Sequence, residues 1–261
     1  MQKIIDINNA ETCLYVSIKT NKPNKFLVTA NETGKKNSFY AMRTIKVQDQ
    51  RTIYLSFPVS PKKITLKVKC LKDVDNTQFV VGIKEKPLKT YNIHIDSNTS
   101  KFLDLAVPFA QICGFKMPNV NGKVYSSPDK TFNIKYYPII KDIRSGKTFA
   151  TPARIGHNSG IIEVAAYKFM TYTIPMRMMI LLHEFSHKWK NPQMNLPISD
   201  EVGADINALY IYLGLGWSKV DAIKVYADVF LKAQTPSNID RMRKIMNYIQ
   251  KFENGEFAKA E

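Results

Sequence analysis

Cysteine, histidine, acid and long apolar runs are all scarce in this chain of 261 residues, and each scarcity excludes something. The three cysteines, Cys13, Cys70 and Cys113, are too few and too scattered for a disulfide framework or a cysteine-built zinc site. The apolar run that enters the most informative segment, Met178 to Leu182, ends after five residues at His183-Glu184, which predicts no membrane span. The opening Met1-Gln2-Lys3-Ile4-Ile5-Asp6 lacks the apolar stretch of a secretory signal. The expectation is a cytoplasmic protein, or a virion or other particle assembled in that compartment. At 44% hydrophobic and 23% charged the composition is globular, so wholesale disorder is excluded.

Acid is outnumbered: 22 Asp and Glu face 38 Lys and Arg, a net charge of +16. Residues 1–100 hold 17 basic and 8 acidic side chains, residues 101–261 hold 21 and 14, so the excess is spread over the chain. Such a surface attracts nucleic acid, anionic membranes or acidic proteins. A codon bias toward Lys, which outnumbers Arg 31 to 7, gives the same excess without any partner.

The first hundred residues alternate with a period of two. Leu14, Val16 and Ile18 interleave with Cys13, Tyr15 and Ser17, and Ile64, Leu66, Val68 and Cys70 with Thr65, Lys67 and Lys69. Further short runs at Phe26–Thr29, Phe39–Val47, Thr52–Phe57, Gln78–Ile83 and Tyr91–Ile95 bring the count to about seven strands, with turn-formers between them, including Asp73–Asn76. This predicts an antiparallel β-sandwich or barrel over residues 1–97, a module for binding or assembly. From Ser97 the pattern changes. A helix carries Phe102, Leu105, Ala106 and Phe109 on one face, with Pro108 as a kink or stop; strands return at Phe132–Ile140, Ala153–Ile155 and Ile161–Val164. The remainder reads as helices at Ile174–Trp189, Asp200–Tyr212, Ser218–Ala233 and Asn238–Phe252. The fold class expected is α+β, with a second domain over 98–261 that is mostly helical in its C-terminal half.

Only four histidines occur, and two of them fall in His183-Glu184-Phe185-Ser186-His187. With nine Glu in the chain, composition alone yields such a pentapeptide about 0.002 times. On a helix the two imidazoles sit one turn apart on one face and can share a metal ion, while Glu184, rotated by about 100°, can serve a water as general base. Thr173 is the N-cap expected, with Pro175 in the first turn. Pro192 and Pro197 break the helix, and Ser199 or Asp200 can cap the next one. There Glu201 and Asp205 share a face. A catalytic zinc commonly takes two His and one carboxylate, so Glu201 fits as third ligand, with Asp200 as an alternative acid, and Asp205 fits as acceptor for the far N–H of His183.

His183-Glu184-x-x-His187 followed by Glu201-x-x-Ala204-Asp205-x-x-Ala208 resembles the gluzincin class of zinc metallopeptidases. The Glu-x-x-x-Asp element resembles thermolysin-like enzymes, and the longer form is similar to the membrane-anchored and toxin-regulator-type HExxH families. The resemblance spans about residues 130–215. It implies a zincin-like domain, Zn2+ as cofactor, a peptide or protein substrate, and a strand before the active helix that pairs with extended substrate. Gly160-Ile161-Ile162-Glu163-Val164 occupies that place. Lys188 stands where such enzymes carry an uncharged residue. For an oxyanion donor, His157, Tyr167, Tyr172 and Tyr210 qualify by type only, and His94 reads as packing or surface.

Two other readings follow from the same sequence. One is a structural or assembly protein of a large particle, such as a phage neck or tail component, oligomerising through its N-terminal domain with a zinc site that is inactive or acts once in maturation. The other, resting on charge alone, is a nucleic-acid-associated regulator. Ser145-Gly146-Lys147-Thr148 is no phosphate loop, because Lys141 stands where its first glycine belongs.

Overall fold

The computed structural model describes residues 1–7, 11–72, 77–142, 145–194 and 201–257. Their architecture is α+β, with antiparallel sheets in the N-terminal part and helices through most of the C-terminal part. The chain divides into two compact units, Met1–Lys89 and Thr90–Glu261.

The first unit holds β1 (Gln2–Asp6), β2 (Thr12–Thr20), β3 (Asn24–Glu32), β4 (Phe39–Val47), β5 (Gln50–Phe57), β6 (Lys63–Cys70) and β7 (Phe79–Pro87). Two sandwich-like antiparallel sheets result, in the orders β1-β6-β3-β4 and β5-β2-β7. The two-residue period decides their inner faces. Leu14, Val16 and Ile18 of β2, Phe26, Val28 and Ala30 of β3, and Ile64, Leu66 and Val68 of β6 are all buried. Each of the larger of these side chains contributes about 1.5–3 kcal/mol by leaving water. The turn expected at Asp73–Asn76 lies outside the described residues.

In the second unit α1 (Ser97–Ile112) is followed by β8 (Lys123–Ser126), β9 (Asn133–Tyr137), β10 (Ala153–Ile155) and β11 (Ile162–Ala165). Then come α2 (Ala166–Phe169), α3 (Ile174–Ser186), α4 (Glu201–Gly214), α5 (Lys219–Val225), a π-helical turn at Tyr226–Phe230, and α6 (Pro236–Glu253). Asp96 caps α1 by accepting from the Thr99 N–H, and the expected face of Phe102, Leu105, Ala106 and Phe109 is buried. Pro108 does not end the helix. It stands on the exposed side, where a missing N–H and a local bend meet only solvent. Residues 91–95 form no strand; Tyr91 donates its N–H to Gly214 O, the His94 N–H is taken by Tyr210 Oη, and the Tyr91 ring packs on Phe252 at 4.8 Å. These contacts with α4 and α6 place residues 90–97 in the second unit.

Every residue of α3 is buried, which makes it the central helix of this unit. Phe185 stacks on Phe102 at 4.3 Å and on Trp189 at 5.2 Å. Arg177, fully buried, donates to Phe169 O at 2.8 Å and to Ala110 O at 2.9 Å, and so closes the last carbonyls of α2 and α1 with a cation where both helix dipoles are negative. Thr173 occupies the N-cap of α3 and Pro175 its first turn, although the Thr173 hydroxyl makes no capping bond. Among the described residues no helix is long and apolar enough to cross a membrane.

Candidate metal centre

His183 and His187, one turn apart on α3, present their Nε2 atoms to each other at 3.1 Å. Glu201, at the first position of α4, places Oε2 3.5 Å from His183 Nε2 and Oε1 3.7 Å from His187 Nε2. Ligand atoms about 2.1 Å from one tetrahedral ion lie about 3.4 Å from each other, so these three separations are those of ligands around a shared centre. The three residues form a group that can hold a metal ion. Small residues let α4 approach: Ala204 and Ala208 are fully buried. Asn207, also buried, fixes the register. Its amide donates to Ser186 Oγ at 2.8 Å and to Trp189 O at 3.2 Å, and its Oδ1 accepts the Asn191 N–H, tying α4 to the end of α3. Ser199, Asp200 and Pro197 lie outside the described residues.

Behind the cluster Asp205, with no exposed surface, sets its Oδ1 2.9 Å from His183 Nδ1, a short contact that misses linear hydrogen-bond geometry. A carboxylate at that distance keeps the proton on Nδ1 and leaves Nε2 as a lone-pair donor. Burial pushes the His183 imidazolium down, but the close Asp205 carboxylate and its charge, with Glu184 and Glu201, outweigh it and raise the pKa. His187 moves the other way, through burial and the neighbouring His183. Asp205 is itself gripped by Arg241 of α6, whose Nε lies 2.5 Å from Oδ2 and Nη2 3.0 Å from Oδ1. The same Nη2 reaches Glu201 Oε2 at 2.8 Å. The π turn completes this side: Tyr226 Oη donates to Asp205 O at 3.2 Å, and the Phe230 ring covers the His183 ring at 4.2 Å. Wide helical turns of this kind recur at functional sites because they redirect side chains that a regular helix would turn away.

Glu184 does not join the donor group. It faces a cavity of about 610 Å³ that His183, His187, Glu201, Arg241, His157 and β10 also line. Burial raises its carboxyl pKa, opposed by the charge of His183 and by a hydrogen bond from the Ile155 backbone N–H. No family model, no curated protein and no solved structure matches the chain. The chemistry of the centre is therefore carried by its own geometry.

The expected substrate strand needs correction. β11 lies between β10 and β9, so Ile162, Glu163 and Val164 are paired on both sides, and Ile162 and Val164 are buried besides. Glu163 is held by Arg154 at 2.6 Å. The edge strand beside the cavity is β10. Gly156 N–H bonds to Ile161 O and Ala165 N–H to Pro152 O, so by antiparallel alternation Ala153 and Ile155 turn their backbone groups outward, where the Ile155 N–H meets Glu184 and Ala153 O accepts the Thr151 hydroxyl at 2.6 Å. Gly160 and Ile161 belong to the turn that joins the two strands. Gly160 has φ +66, and a Cβ there would stand 2.6 Å from the Trp189 ring. Gly160→Ala is therefore expected to cost about 1–3 kcal/mol in urea unfolding through backbone strain and displacement of Trp189.

Lys188 is turned away from the donor group, with its ammonium on Asn158 O at 3.1 Å. Of the four aromatic or imidazole candidates for an oxyanion donor, His157 lines the cavity, whereas Tyr167 reaches Phe149 O and Tyr210 serves His94. Tyr172 packs on Phe169. His94 is exposed. Arg241, Asn207 and Phe230 carry no motif in the sequence. A lone Arg on the helix after next gives no local signal of its target.

Proposed function

We propose that the second unit is a zinc-dependent peptidase in which His183, His187 and Glu201 hold the ion and Glu184 moves the proton. One observation carries this reading: three donors spaced as ligands of one ion, with a buried carboxyl that is not one of them facing the same cavity. Zinc bound there supplies Lewis acidity toward a water and toward a carbonyl oxygen. Glu184 accepts the proton of the attacking water on its carboxylate and gives it to the departing amine nitrogen, so that one water is consumed per amide bond broken. A carboxyl with a raised pKa suits both halves of that transfer. Asp205 holds the His183 tautomer, Arg241 fixes Asp205 and Glu201 together, and Phe230 keeps water off the His183 ring. The remaining outward groups of β10, the Ala153 N–H and the Ile155 carbonyl, align an extended peptide as an added strand.

Purified protein is expected to contain about one zinc per chain by elemental analysis, the stoichiometry of a single His–His–carboxylate set. It should cleave members of a peptide library, and a chelator should abolish cleavage and lower the melting temperature. Protein that gains neither stability nor hydrolysis when zinc is restored overturns the proposal.

One observation favours the assembly reading. Arg241 bonds the Glu201 oxygen nearest His183, and a charge-satisfied carboxylate is a poorer ligand. A defined ring or oligomer that cleaves no peptide in the library would support it.

A further inference from the structure

We propose that the outer face of the β5-β2-β7 sheet is a platform for single-stranded nucleic acid. Residues 1–89 carry 17 Lys and Arg against 7 Asp and Glu. On this sheet the charge is arranged around aromatic rings. The register sets Lys84, Tyr15 and Tyr54 side by side in one row across β7, β2 and β5. The rows on either side are Lys86-Cys13-Ser56 and Gly82-Ser17-Thr52, and the next beyond is Val80-Lys19-Gln50. No position in these four rows is acidic. Glu85, the nearest carboxylate in β7, points to the other face and accepts from the Thr12 hydroxyl.

The Tyr15 and Tyr54 rings meet edge to face at 4.6 Å, and Lys86 lies 4.6 Å from the Tyr15 centroid. Tyr54 is 54% exposed, a large apolar area for a side chain at the middle of a strand. Its neighbours in the row beyond, Ser17, Thr52 and Gly82, are small, so among the described residues of this unit the Tyr54 ring is open to a ligand approaching along the sheet, while Lys86 covers the half-buried Tyr15. Lys19, Lys84 and Lys86 stand on the same face and form no ion pair among the described residues.

An exposed ring pair bordered by lysines along β7, with a further lysine on β2 and no acid, suits a strand of splayed bases, since bases stack on the open ring while the phosphates meet the ammonium groups. A duplex, whose bases are already stacked, uses only the charge. An acidic protein uses the charge and leaves the rings idle.

The test is fluorescence anisotropy of the full chain with labelled oligothymidylate and oligouridylate of about 20 nucleotides, against a duplex of the same length and a polyglutamate competitor. Binding of either oligomer in preference to duplex supports the proposal, and the tighter one names the sugar. Tyr54→Leu should weaken binding about tenfold or more while Tyr54→Phe retains it. Lys84→Ala with Lys86→Ala should flatten the slope of log affinity against log salt by about 1.4. Lys25→Ala with Lys46→Ala removes the same charge from the other sheet and should leave the Tyr54 effect intact. Equal affinity for duplex, full displacement by polyglutamate, or Tyr54→Leu binding as tightly as the parent at an unchanged melting temperature would each overturn the platform, as would failure to bind either oligomer at low salt.

Discussion

Glu184→Gln is expected to keep the bound metal and to lose hydrolysis by about 10²–10⁴-fold, the range that a positioned proton carrier contributes. The substitution isolates proton transfer because it changes almost nothing else. Glu184 is not in the donor group, so the His183, His187 and Glu201 set stays whole. Gln conserves the volume of a side chain that is 8% exposed, and its amide oxygen still accepts the Ile155 N–H. Only basicity is lost. Metal content by elemental analysis and turnover of a cleaved library peptide read the two consequences separately. Loss of both metal and activity would make Glu184 a structural support; full activity with full metal would remove it from the chemistry.

Much of this centre is legible in the sequence because helices make it local. His183 and His187 are brought together by the helical period alone, and so are Glu201 and Asp205. Joining the two pairs takes a single break in the chain and two small residues, Ala204 and Ala208, all of which can be read in order. Arg241 is another matter. It lies 36 residues past Asp205, beyond α5 and the π turn, and the angle at which α6 crosses α4 decides what it touches. The π turn itself leaves no mark. Tyr226-Ala227-Asp228-Val229-Phe230 has an ordinary helical composition, and its widened hydrogen bond, from Leu231 N–H to Tyr226 O, arises from packing.

The strands show the same division. β2, β3 and β6 bury one face and therefore alternate visibly. β1 and β8 stand at sheet edges with most side chains in water, and nothing in their sequences demands a strand. Tyr91, Ile93 and Ile95 alternate with Asn92 and His94 because one side of an extended segment rests on helices; alternation reports a two-sided environment, and a sheet is only one way to make it. The order β10-β11-β9-β8 depends on pairing across the chain, so the strand nearest α3 in sequence, β11, is taken into the interior and the edge passes to β10.

Asp205→Ala is expected to be the most damaging change to stability near the centre, by about 3–5 kcal/mol, the usual cost of leaving one member of a buried ion pair alone. Asp205 has no exposed surface and the Arg241 side chain only 13%, so water cannot replace the lost carboxylate. Arg241 would then rest on Glu201 alone, through the oxygen that lies 3.5 Å from His183 Nε2. Metal affinity should fall about 10–100-fold, because His183 loses the partner that fixes its tautomer and Glu201 becomes more tightly held by the guanidinium. Adding Arg241→Met separates these effects. The double variant buries no unpaired charge and should recover most of the stability in urea unfolding of the metal-free protein, while affinity measured by chelator competition stays low. Non-additivity of that sign is the signature of two residues acting as a pair. A single Asp205→Ala variant that unfolds at the parent urea concentration and binds zinc as tightly would mean that Asp205 neither supports Arg241 nor orients His183.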